Sequence, residues 1–154
     1  MKTTQHISRL LRDLYFGGNW TGTNLKDSIA SISLEEANTK LGNCNTVAVL
    51  LFHINYYVEG MLPIFNGGTL DIRDKYSFDA PEISSDEEWN RLKAKVLDNA
   101  KLLIEQIDTL EDDILFTTFV DEKYGTYYRN LHGVIEHTHY HLGQINILIK
   151  QIRT

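Results

Sequence analysis

The chain of 154 residues is 42% hydrophobic and 23% charged, with 10 glycines and 2 prolines, which excludes disordered, collagen-like and low-complexity classes and suits one domain over residues 1–154. Its 15 Lys and Arg against 21 Asp and Glu leave a net charge of -6, and with no locally basic face to offset the repulsion from phosphates, nucleic acid is not the expected partner. No apolar secretory core follows Met1, the longest apolar run (Val47 to Phe52) is too short to span a bilayer, and the single cysteine, Cys44, suits a reducing compartment, so a soluble cytoplasmic protein without membrane association is expected.

Ile7, Leu10, Leu11 and Leu14 form a helical stripe that Leu25, Ile29 and Ile32 resume after Gly17-Gly18-Asn19, so the first helix is kinked or split there. Ser33-Leu34-Glu35-Glu36 reads as a capping box, in which a Ser hydroxyl serves an orphan backbone N–H and the Glu reaches back three residues; a short helical turn ending at Gly42 follows. Asn43 or Asn45 is positioned to cap a second helix, with Val47, Leu50, Leu51, Ile54, Tyr57, Val58 and Met61 recurring at steps of three and four. Pro63 and Gly67-Gly68 stop it, and Leu62 to Ser84 reads as a long connection. A connection of that length lets the helices on either side run parallel.

A second capping box, Ser85-Asp86-Glu87-Glu88, opens the third helix, whose apolar positions are Trp89, Leu92, Val96, Ala100, Leu103, Ile107 and Leu110. Leu115 to Val120 is apolar without a helical period, either extended or a short turn. The fourth helix starts near Thr126 and turns Leu131, Val134, Ile135, Leu142, Ile145, Leu148, Ile149 and Ile152 inward. Four amphipathic helices without strand alternation predict an all-α fold, a four-helix bundle.

Helical geometry sorts the histidines. Residues four apart lie about 40° apart around the axis, so His137 and His141 stack on one face, and that face also carries Val134, Ile145 and Leu148. His139 lies about 200° from both, and His132 about 180° from His141, which turns these two outward. On the second helix His53 shares the face of Leu50, Ile54 and Tyr57. A single inward histidine reads as a hydrogen-bonded core residue as readily as a ligand. Three that converge are different, because burying three imidazoles is costly unless their nitrogens find partners, and one metal ion would satisfy all of them while leaving a position open.

The segment His137-Thr138-His139-Tyr140-His141-Leu142-Gly143-Gln144 on a final helix, with an inward His53 near the end of the second, resembles the DinB-like superfamily of metal-binding four-helix bundles over essentially the whole chain. The resemblance implies one divalent metal ion, zinc or nickel, held by His53, His137 and His141. It also implies an up-down-down-up order with the Leu62 to Ser84 connection crossing between parallel second and third helices, and a homodimer. Members with known activity are thiol transferases, which join a low-molecular-weight thiol such as bacillithiol or mycothiol to an electrophile, or thiol-dependent isomerases.

Three functions follow as expectations. The first is a metal-dependent thiol S-transferase acting on a small-molecule substrate, since a divalent cation deprotonates a thiol that it coordinates. The second is hydrolysis by metal-activated water, which a carboxylate near the open position would favour as general base, although spacing places neither Glu59 nor Glu136 nor any other acid there. The third is a non-enzymatic, stress-related metal-binding protein. Trp20 is expected in the core, with Trp20 and Asn24 as alternative pocket residues. Asp71 to Asp79 reads as a solvated loop without a role, and the tyrosines as packing groups. The glycines form no phosphate-cradling motif, and no Ser-His-Asp or Cys-His constellation stands out.

Overall fold

The computed structural model describes residues 1–154; its regular elements are all helices, with no strand. Six α-helices follow one another: α1 Thr3–Phe16, α2 Leu25–Ala30, α3 Leu34–Asn38, α4 Val47–Met61, α5 Asp86–Thr109 and α6 Tyr127–Ile152. The four longest close a ring in which α1 packs on α5, α5 on α4, α4 on α6 and α6 on α1. One continuous core of 31 buried hydrophobic residues draws on all six helices. The stripes read from the sequence supply most of it, but Leu10 is 56% exposed.

The first helix is split rather than kinked. Gly17 and Gly18 both adopt φ of +107°, which side chains other than glycine rarely tolerate. The chain leaves α1 there, and Asn24 caps α2 by accepting from the Asp27 backbone N–H. Ser33 and Glu36 form the expected capping box of α3. Three local expectations need correction. Thr46, not Asn43 or Asn45, caps α4, because its hydroxyl accepts from the Val49 N–H. Ser85 does cap α5, but Glu88 passes over it and accepts from the N–H and hydroxyl of Ser84. Trp20 is not in the core: it is fully exposed between α1 and α2.

Hydrogen bonds register the helices. The backbone N–H groups of Thr3 and Thr4 donate to Asp112, and the Ser8 hydroxyl to Asp108, so the start of α1 lies against the end of α5. At the other extreme the buried Trp89 indole donates to the Ile32 carbonyl. Along α6, Thr138 meets Tyr15, Asn146 donates to Thr23, and Arg153 pairs with Glu36 and Ser31. The Phe65 and Tyr127 rings, 6.1 Å apart, bring the end of α4 to the start of α6.

Val47–Asn66, which is α4 with the 3-10 turn Leu62–Asn66 that prolongs it, is long and apolar enough to cross a bilayer by length and composition, so the apolar stretch exceeds the short Val47 to Phe52 run. Of its most apolar window 61% is buried, as a helix packed between α5 and α6 requires. The connection to α5 then runs back along α4. Ile72 packs over Gly60, where an added Cβ would approach its side chain to 2.6 Å. The Tyr56 hydroxyl donates to the Arg73 carbonyl and accepts from the Arg73 N–H, and the Tyr57 hydroxyl donates to Asp74. Residues 53, 56, 57 and 60 share one helical face, and the connection follows it as a strap.

Candidate metal centre

His53 comes from the middle of α4, and His137 and His141 from successive turns of α6. Their ligand atoms, one from each ring, all lie within 4.8 Å of one another. His53 and His141 are buried at 4% and 6% exposure, and His137 is half-buried. His132 is exposed, 3.5 Å from Glu136. His139 is half-buried outside the cluster, and desolvation holds its pKa below the ordinary value.

The neighbours of the cluster orient it. His53 Nδ1 lies 2.9 Å from the Ser77 carbonyl oxygen, and His141 Nδ1 lies 2.7 Å from Gln144 Oε1. Both partners are acceptors, so each Nδ1 carries the proton and each Nε2 keeps its lone pair for the interior. His137 Nε2 sits 2.9 Å from His53 Nε2, while His137 Nδ1 is buried with no partner. Protein groups alone therefore leave this imidazole incompletely satisfied. The facing Nε2 atoms of His137 and His53, beside a His141 ring whose Nδ1 contact directs its Nε2 inward, fit a divalent ion with imidazole ligands.

The electrostatics agree. Burial lowers all three pKa values. His137 falls furthest, to about 4, because desolvation is joined by repulsion from a charged His141 and His53. The triad is neutral near pH 7, the state a metal needs.

Aromatic rings wall the site. Phe78 stacks on His53 with centroids 3.7 Å apart and planes 9° from parallel, and Tyr57 meets the other rings edge-on, 5.3 Å from His53 and 4.9 Å from His137. Ser77 and Phe78 belong to the Asp71 to Asp79 stretch that the sequence leaves without a role; they hold and cover His53. No local signal marks them, because their importance arises only when the strap lies on α4. Asn24 touches neither the cluster nor its cavities.

Two cavities adjoin the histidines. One, about 450 Å³, is lined by His137 with Tyr57, Asp74, Arg129, Asn130 and Glu136, over an apolar floor that includes Met61 and Phe119. The other, about 470 Å³, is lined by His141 with Cys44, Leu50, Phe78, Tyr140 and Gln144. Glu136 thus reaches a cavity of the site, whereas Glu59 pairs with Lys95 at 2.8 Å and does not.

A helical bundle with three converging histidines and adjoining cavities defines a class of proteins able to hold a metal ion. The model of the DinB superfamily matches residues 19–145, so this chain belongs to that superfamily. No curated protein and no solved structure matches it.

Proposed function

We propose that this protein binds one divalent metal ion, zinc or nickel, through His53, His137 and His141, and uses it as a metal-dependent thiol S-transferase. The observation that carries the reading is the convergence of three imidazoles within 4.8 Å, two of them fixed through Nδ1, at the wall of cavities that can admit a small molecule. A bound divalent ion lowers the pKa of a thiol that it coordinates and holds the thiolate ready for attack. The chain's own part is to keep the triad neutral, to aim each Nε2 through Ser77 and Gln144, and to exclude water from His53 with Tyr57 and Phe78. Cavities of this size favour substrate binding over a sealed structural ion.

The reading includes an up-down-down-up bundle. It is supported by the pairing of the start of α1 with the end of α5, of α4's end with α6's start, and by a strap that runs back along α4. It also includes a homodimer, supported by the family resemblance, and a cytoplasmic setting, which suits the exposed free Cys44.

The test is turnover of an electrophile with several cellular thiols by metal-loaded protein beside His141→Ala. Metal content measured for both, together with His53→Ala and His137→Ala, checks the ligand set. Equal rates in wild type and His141→Ala would end the transferase reading, and full metal retention in all three variants would end the ligand assignment. Hydrolysis is a second reading, favoured by Glu136 at the cavity of His137. Turnover of esters or amides with no thiol present would select it.

A further inference from the structure

The two cavities beside the triad have no lining residue in common. His137 opens only on the first and His141 only on the second, while His53 lines neither and is buried in the wall between them. The wall is built from both sides: Tyr57, which meets His53 edge-on, faces the first cavity, and Phe78, which stacks on the same ring, faces the second. The three histidines therefore stand in a partition reached from two directions.

The cavities differ in charge. The first carries Arg129, Asp74 and Glu136, and the only hydrogen bond made by the Arg129 guanidinium is to the Tyr124 backbone carbonyl, so no carboxylate neutralises it. The second has no Lys, Arg, Asp or Glu in its lining; Leu50, Phe78, Ile147 and Leu148 give it an apolar surface, with Asn43, Asn45 and Gln144 as neutral polar groups.

We propose that the two substrates of the transferase reach the triad through separate cavities. A zwitterionic low-molecular-weight thiol enters by the first, its carboxylate on Arg129 and its ammonium near Asp74 or Glu136. A neutral, apolar electrophile enters by the second. The transfer then takes place at the triad itself, at the edge where the rings of His137 and His141 adjoin with centroids 4.5 Å apart and both substrates reach one another: the thiolate sulfur forms a bond to the electrophilic carbon, the carbon's bond to its leaving group breaks, the leaving group departs with that electron pair, and the thiol proton passes to solvent. Both substrates are bound at once, and no covalent enzyme intermediate is needed. This inference rests on the transferase reading for its chemistry, but its two-site binding is testable without turnover.

The experiment measures equilibrium binding of two unreactive probes to the full chain, metal-free and metal-loaded. S-methylglutathione stands in for the thiol, and the neutral fluorophore N-phenyl-1-naphthylamine for the electrophile. Saturation with one probe should leave the dissociation constant of the other within about twofold, since the sites do not overlap. Arg129→Ala should weaken S-methylglutathione by about tenfold, the value of one charge-assisted contact, and leave the fluorophore unchanged. Ile147→Glu, at a position already 64% exposed, should weaken the fluorophore by about tenfold through a charge in the apolar cavity and leave S-methylglutathione unchanged. Mutual displacement of the probes, equal effects of either variant on both, or no binding of one probe would each overturn the proposal. Independent binding of the probes, combined with no turnover when a reactive thiol and electrophile replace them, would sink the transferase reading and leave the two-entrance site standing.

Discussion

Acid should destabilise the metal-free protein through the histidine cluster. His137 titrates at about 4 in the fold, against about 6.5 in an unfolded chain. Near neutral pH both states hold it uncharged. As the pH falls below about 6.5 the unfolded state takes up a proton that the folded state refuses, so stability declines until His137 itself protonates near 4. At about 1.4 kcal/mol per pKa unit the loss from this residue is at most about 3.5 kcal/mol, and partial solvent screening of a half-buried ring brings it below that ceiling. His53 and His141 shift in the same direction and add to the slope. Urea denaturation followed by circular dichroism, in chelator and at fixed pH between about 7 and 4, measures the effect. His137→Leu should flatten part of the slope, because it removes the proton acceptor that distinguishes the unfolded state. Parallel pH profiles for wild type and variant would refute the reasoning.

Three further outcomes follow. Gln144→Leu removes the acceptor that fixes His141 and should weaken metal binding by about 10- to 100-fold, with little change in the melting temperature of the metal-free protein; competition with a chromophoric chelator reads it. Gly60→Ala would press a Cβ onto Ile72 and lift the strap, so chemical denaturation should show a loss of about 1 to 3 kcal/mol, and an unchanged midpoint would argue against close packing there. Trp20→Ala should change stability by less than about 0.5 kcal/mol, whereas Trp89→Ala, which empties a buried site and strands the Ile32 carbonyl, should cost about 3 to 5 kcal/mol in the same assay.

Spacing alone separated His137 and His141 from their neighbours, because a helix of fixed pitch turns every fourth residue to one face. The same rule placed Leu50, Ile54 and Val58 inside α4 and Val96, Leu103 and Ile107 inside α5. Where two outcomes differed by a single side-chain choice, local pattern failed. Thr46 displaced Asn43 and Asn45 as cap of α4, and Glu88 bonded Ser84 instead of closing the box on Ser85. Trp20 was misplaced for a related reason: an aromatic residue buries itself only if the chain brings a surface to it, and the break after α1 brings none.

The sequence by itself determined the long helices, most of their buried faces and the helical face that His137 and His141 share, since these depend on neighbours within about four residues. The tertiary structure decided what those histidines face. Ser77 and Phe78 follow His53 by more than twenty residues and look like ordinary loop positions, yet they hold and cover its ring once Ile72 seats against Gly60 and the strap follows α4. The placing of Arg129 and Glu136 in one cavity and Cys44 in the other likewise depends on how α4, α6 and the strap pack together. A residue's own period cannot encode such contacts, because they exist only between segments distant in the chain.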